Sequence, residues 1–425
     1  MFLIILLRDI MKRIFVIVLL LGCHLTFFAQ RCESFSYFKN QVAQNPLIAN
    51  NAQAIESFVN RQLANITASR GNGNEAIIKI PVIVHILYHT PEEKISDAVV
   101  HSQINVLNNC FRRLNADTIN TPLRFKASAA DCSIEFQLAT ADVRRRNTTG
   151  IIKKYTPVAK WKMDDQMKFS SSMGDDAWDA TQYLNIWVCN LDRLAGYSSF
   201  PGGDTKLDGV VIDFGAFGAL QETATYGQGK TAVHELGHWM GLKHLWGDAY
   251  CGDDGVDDTP KQASYTSGCP STIRITCGNG PDGDMYMNYM DFTNDVCLNM
   301  FTKGQKDKMR ALFMPGGSKY SFLNSKGLLP ALIFEIPLPD DGPKWLHPQL
   351  YPNPVNTVLN LDLSYDIRWV GKTAKIVNIS GQTVMQFVIS AKIQQIQINK
   401  LSPGLYFIAA KREDGLSMNL QFVKL

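Results

Sequence analysis

The sequence predicts an α+β domain followed by a small all-β sandwich. Three observations lead there. The apolar run IIKIPVIVHILYHT is followed by a stretch with helical spacing and then by short β-like runs. A helix-length segment, Thr231 to His244, carries three histidines in register. From Tyr351 onward the pattern changes to short alternating runs, such as Val358-Leu359-Asn360-Leu361-Asp362-Leu363 and Ile393-Gln394-Gln395-Ile396-Gln397-Ile398. Such runs signal a β-sandwich of about 75 to 80 residues.

At 425 residues the chain is long enough for two or three domains. Hydrophobic residues make up 45% and charged residues 19%, which excludes a largely disordered chain. The 42 basic and 39 acidic residues leave a net charge of +3, too balanced to imply a nucleic-acid or anionic-membrane partner.

Met11, Lys12 and Arg13 precede an apolar run from Ile14 to Leu21. Residues 1–30 therefore read as a signal peptide that starts at Met11 and is cleaved near Ala29 or Gln30. Gly22, Cys23 and His24 interrupt the run before it reaches the ~20 apolar residues of a spanning helix, so the mature form is expected to lack a transmembrane anchor. The second reading is a lipoprotein box, Leu20-Leu21-Gly22-Cys23, with Cys23 lipidated.

Phe35 to Thr67 is a helix-like segment with Phe38, Val42, Leu47, Ile55, Phe58, Val59 and Leu63 as its apolar stripe. It ends in Ser69-Arg70-Gly71-Asn72-Gly73-Asn74, an exposed linker open to proteolytic nicking. A buried strand follows from Ile77 to Tyr88. Between Ser96 and Asn115, Val99, Val100, Ile104, Leu107 and Phe111 recur at helical spacing, with Ser96 as N-cap. Short strands are expected at 134–139, 183–189 and 209–214. Pro315 to Leu350 is rich in Pro, Gly and Asp and reads as a connection. There is no internal repeat.

Nine cysteines in an exported chain point to disulfides. Cys251, Cys269, Cys277 and Cys297 lie close together after the histidines, so two bridges are expected there. Cys110, Cys132 and Cys189 stay unassigned.

The run T-A-V-H-E-L-G-H-W-M-G-L-K-H contains H-E-x-x-H-x-x-G-x-x-H. His234 and His238 are four apart, so on a helix both imidazoles project from one face and reach a single metal. His244 lies ten residues past His234, turned by about 280° on an unbroken helix. The helix must therefore stop, and Gly241 supplies the positive φ that swings His244 back. Three imidazoles leave one tetrahedral position open on a catalytic zinc. There water is activated for attack on a peptide carbonyl, with Glu235 as general base that returns the proton to the leaving amine.

This run resembles a metzincin, and its surroundings resemble the pappalysin family, which includes ulilysin and the cytophagalysins. The resemblance implies a metzincin-type zinc peptidase domain, a twisted sheet plus an active-site helix. MNYMDFTNDVCLNMFTKGQ, from Met287 to Gln305, is similar to the family's Met-turn segment, which makes Met290 the methionine beneath the zinc. The family's tyrosine two residues later is Phe292 here, so the stabilisation that phenol gives the tetrahedral intermediate is missing. Asp295 aligns with the aspartate at the base of the S1' pocket, implying cleavage before Arg or Lys. CGDDGVDDTP resembles the family's calcium loop, with Asp254, Asp257 and Thr259 as ligands of a structural Ca²⁺. The same resemblance pairs Cys251 with Cys277 and Cys269 with Cys297. Cys32 matches the cysteine of the family's pro-segments, where a thiolate fills the open zinc position and acts as a zymogen switch.

LYPNPVNTVLNL, ISGQTV, LSPGLYFI and the terminal FVKL resemble a type IX secretion sorting domain of Bacteroidetes bacteria. The implied partners are protein or peptide substrates and the type IX machinery, with Sec export followed by release or attachment at the outer cell surface. The expected organisation is signal peptide 1–30, pro-segment 31–70, catalytic domain 71–325, linker 326–350 and sorting domain 351–425. The alternative function is a surface adhesin or binding protein on a weakly active metalloprotease scaffold, for which Phe292 is the hint. Deacylation of a small amide by the same zinc is a third reading, disfavoured by the elongated motif.

Overall fold

The computed structural model describes residues 30–68, 75–219, 225–335, 343 and 346–425. Most of the signal segment and the 69–74 linker lie outside them. The expected single stretch from Phe35 to Thr67 is two helices, α1 (Ser34–Gln44) and α2 (Leu47–Ala68). Pro46 explains the break, because the residue before a proline is pushed out of the helical region; Asn45 is extended at φ −142° and ψ 96°.

The first core is built on a seven-stranded sheet. Its strands are β1 (Gln30–Cys32), β2 (Ile78–Tyr88), β4 (Ile134–Leu138), β5 (Ile151–Tyr155), β6 (Leu184–Cys189), β7 (Leu194–Ser198) and β8 (Val210–Asp213), in the order β1-β7-β8-β6-β2-β4, with β5 also on β2. A small ribbon pairs β3 (Ala129–Ala130) with β9 (Phe301–Thr302). β2 is buried on both faces beyond Lys79, as its unbroken apolar run requires of a central parallel strand. Val82, Val84 and Ile86 pack with α3 (Asp97–Phe111) through Val100, Ile104 and Leu107, and with α4 (Lys230–Trp239) through Val233 and Leu236. Each such side chain contributes about 1.5–3 kcal/mol by leaving water. Ser96 caps α3, its hydroxyl accepting the Val99 N–H. α5 (Lys303–Ala311) starts with a capping box of Thr302 and Gln305. α4 lies beneath β7 and β8, which places the histidine segment along the edge strand that β1 completes.

Part of the expected 315–350 connection packs on this unit. The Gly327 carbonyl accepts the Thr140 N–H at 2.8 Å, and Ile333 pairs with Arg146. The sandwich has its own core. Sheets β10 (Gln349–Tyr351), β11 (Val358–Asp362), β14 (Ile393–Gln397) and β12 (Thr373–Asn378), β13 (Thr383–Val388), β15 (Gly404–Lys411), β16 (Ser417–Lys424) enclose Leu359, Leu361, Trp369, Ile376, Ile396, Ile408 and Phe422. The two alternating runs of the sequence pair with each other, Val358 opposite Gln397 and Asp362 opposite Ile393. Among the described residues, no helix is long and apolar enough to cross a membrane.

Candidate active site

Every residue of α4 is buried. Asp295 holds its start: Oδ2 accepts the N–H groups of Gln228 and Lys230 at 3.1 Å each, an anion at the positive end of the helix. Gly237 permits a close approach, since a Cβ there would lie 2.4 Å from Met290 Sδ. Met290, fully buried, sits against the helix at that point. The helix stops where the histidine spacing demands. Gly241 has φ +82°, and Leu242 N–H returns to the Gly237 carbonyl at 2.9 Å.

The turn brings His244 back to His234 and His238. Each Nδ1 is engaged away from the centre: His234 with the Tyr289 carbonyl at 2.7 Å, His238 with the Leu242 carbonyl at 2.8 Å, and His244 with the Asp248 carboxylate. A carbonyl or carboxylate partner makes Nδ1 the protonated nitrogen and leaves the Nε2 lone pair facing inward. The three Nε2 atoms are 3.0, 3.1 and 3.3 Å apart. Burial, with His244 beside it, holds His238 well below the usual histidine range, so it is neutral at pH 7. Three imidazoles converging through Nε2 fit a borderline-soft divalent cation.

The fourth donor comes from far away in sequence. Cys32 is a free, buried thiol, paired through β1 opposite Gly196 of β7. Its Sγ and one nitrogen of each histidine all lie within 4.8 Å of one another. Next to it, Ser34 Oγ donates to Glu235 Oε2 at 2.6 Å and accepts the Ser198 N–H at 2.9 Å, while Ser34 N–H points to Cys32 Sγ at 3.3 Å. Ser34 and Glu235 are both fully buried. The motif reading missed Ser34, whose only sequence signal is its place two residues after Cys32. It also missed Asp248, whose signal is the i, i+4 spacing from His244.

Phe292 packs edge-on against His244 with ring centroids 4.9 Å apart, and also against His234, Trp246 and Tyr265. Trp246 stacks on His244 at 4.4 Å. Phe292 thus belongs to an aromatic wall around the third histidine. The bridges Cys251–Cys277 and Cys269–Cys297 are formed, in the expected pairing. In the acidic loop Asp254 and Thr259 are buried together, Thr259 Oγ1 at 2.9 Å from both carboxylate oxygens. Asp257 is exposed, outside that pair. Cys110, Cys132 and Cys189 are free and buried in the cores.

Residues 168–314 match the family described as pregnancy-associated plasma protein-A, and residues 349–424 match the secretion system C-terminal sorting domain. An extracellular metalloprotease of Pyricularia oryzae is 43% identical over 127 residues, 28% of this chain and 44% of that protein, so the match spans less than half of that relative's length. One of Arthroderma benhamiae is 32% identical over 241 residues, 55% of this chain and 76% of that protein. The chain belongs to the pregnancy-associated plasma protein-A family of metalloproteases. The fold agrees: a promirolysin mutant of Tannerella forsythia is 40% identical with a TM-score of 0.63, covering 69% of this chain and 97% of that one. Membership of this pappalysin family implies a catalytic zinc, and the histidine cluster above has the donors for it. The sorting domain marks a secreted or cell-surface metalloprotease of Bacteroidetes type.

Proposed function

We propose that this chain is a zinc-dependent endopeptidase, made as a zymogen, that hydrolyses peptide bonds in extracellular proteins or peptides. The convergence of three Nε2 atoms beside Glu235 carries the reading. His234, His238 and His244 hold the zinc, which when bound supplies Lewis acidity to the scissile carbonyl and acidifies water. Glu235 takes the proton of the attacking water and returns it to the leaving amine. Met290 supports the helix from below at Gly237.

Asp295 sets a preference for Arg or Lys after the scissile bond. In support, its carboxylate is fully buried, and a buried carboxylate selects a cationic side chain by charge pairing. Asp254, Asp257 and Thr259 bind calcium. Burial pushes the Asp254 carboxyl up to about 7, against the lowering effect of Thr259, and a dication favours its ionised form. Residues 31–70 act as pro-segment, 71–325 as catalytic domain and 351–425 as sorting domain. Latency rests on two contacts, Cys32 with the metal donors and Ser34 with the base.

The test is the full chain, wild type beside Glu235→Ala, incubated with a denatured protein and a peptide library with and without a zinc chelator. Wild type is expected to process itself and cut the library, and chelator or Glu235→Ala to stop both. Equal behaviour of the two chains refutes the peptidase reading. Cleavage sites lacking Arg or Lys after the scissile bond remove the role given to Asp295.

A further inference from the structure

Tyr37 lies one turn after Ser34 on α1, about 4.5 Å along the helix axis. Its ring is buried on the face of the sheet opposite the histidines, in a small core with Trp187, Met167 and Tyr197. The Tyr37 hydroxyl donates to Asp165 Oδ2 at 2.7 Å, and its ring lies 4.9 Å from that of Tyr197. Asp165 Oδ1 is held by Lys168 Nζ at 2.8 Å and by the Tyr197 hydroxyl at 3.1 Å. The Lys168 ammonium is also 5.3 Å from the Tyr37 ring centroid. Asp165, Met167, Lys168, Trp187 and Tyr197, which surround the Tyr37 side chain, all lie outside residues 31–70, and Leu87 of β2 belongs to the same core.

We propose that Asp165, Lys168 and Tyr197 form a binding pocket for a tyrosine side chain of a polypeptide drawn across the cleft, filled by Tyr37 until residues 31–70 leave. The inference rests on the reading of those residues as a removable segment. Three features define the ligand. Lys168 already balances the Asp165 charge, so a cationic side chain gains little. The second carboxylate oxygen, aimed at the Tyr37 hydroxyl, needs a neutral O–H donor at the end of a flat ring. A phenylalanine would fill the ring space and leave that oxygen buried without its bond, the arrangement by which sites reject an analogue lacking a hydroxyl.

The position suits a substrate. Gly196 and Ser198 of β7 face Glu235 and Ser34, whereas Tyr197 between them faces the pocket. An extended chain on the edge vacated by β1 would send alternate side chains to the two faces. A chain whose carbonyl reaches Glu235 therefore offers a nearby side chain to Asp165.

The test uses the full chain with Tyr37→Ala, which empties the pocket without touching Glu235 or the histidines. It is titrated with 4-methylphenol and with toluene, following calorimetry and the unfolding midpoint. We expect 4-methylphenol to bind about tenfold tighter than toluene, and Asp165→Asn in the same background to bring the two within about twofold. Equal binding, or none, overturns the proposal. Should Tyr37→Ala not fold, self-processed wild type is assayed on peptide pairs that differ only as Tyr or Phe at each position around the cleavage site. One position is expected to favour Tyr about tenfold in kcat/KM, and no discriminating position overturns the pocket. Phenol binding by a chain that cleaves nothing would refute the peptidase reading alone; cleavage blind to tyrosine would refute the pocket alone.

Discussion

Replacing Ser34 with alanine separates the two neighbouring contacts, Cys32 with the histidines and Ser34 with Glu235, to which we attribute latency. The Ser34 hydroxyl makes a buried hydrogen bond of 2.6 Å to Glu235, and its oxygen also accepts the Ser198 N–H at 2.9 Å. A bond to a charged group contributes about 1.5–3 kcal/mol, which corresponds to roughly 10- to 100-fold in the equilibrium between docked and undocked pro-segment. Alanine keeps the backbone N–H that faces Cys32, so the thiol contact survives. The full chain with Ser34→Ala is therefore expected to cleave a quenched fluorogenic peptide 10- to 100-fold faster than wild type in the initial rate. That rate is read before any shift of the band on a gel, so that self-processing does not enter. Cys32→Ala should add to this, and the double variant should exceed either single one. A Ser34→Ala chain as silent as wild type, beside an active Cys32→Ala chain, would refute the claim that Ser34 blocks the base independently.

Gly237→Ala forces a Cβ to within 2.4 Å of Met290 Sδ in a fully buried contact, so urea unfolding of the catalytic unit should show a loss of about 1–3 kcal/mol. Asp295→Asn keeps an acceptor for the Gln228 and Lys230 amides but removes the anion at the helix start, so the melting point should fall by a few degrees, and the proposed preference for Arg or Lys over Leu after the scissile bond, read as kcat/KM, should fall at least about tenfold. In the sandwich, burial raises the Asp366 carboxyl, but Arg368 and Arg412 outweigh it and the net shift is downward. A depressed folded-state pKa means stability that is present above the ordinary carboxylate pKa of about 3.9 and lost as pH falls below it. Thermal melts of the sandwich transition should thus drop on acidification from pH 5 to pH 3, and Asp366→Asn should flatten that dependence.

Much of the site was legible because local geometry fixes it. Four-residue spacing puts His234 and His238 on one helical face, and the turn at Gly241 that returns His244 follows from the same periodicity. The alternating runs at 358–363 and 393–398 announced two strands, and they pair in one sheet of the sandwich. β7 escaped notice because Leu-Ala-Gly-Tyr-Ser lacks the β-branched run that marked β2 and β8. The single helical stretch from Phe35 divided because Pro46 acts on the backbone of its neighbour, a local rule that the apolar stripe concealed.

Other features belong to the tertiary structure alone. Ser34 reaches Glu235 across 201 positions, and Tyr37 reaches Asp165 across 128. No periodicity encodes such distances, since they depend on β1 joining the free edge of β7 and carrying α1 with it. The seating of Met290 against Gly237 and the aromatic wall of Phe292, Trp246 and Tyr265 arise likewise from segments brought together by the core. The sequence by itself determined the three histidines, the glutamate and the two-domain plan, because covalent spacing and hydrophobic period are short-range. Which residues stand over that glutamate was decided by strand pairing and burial, which act between parts of the chain remote in sequence.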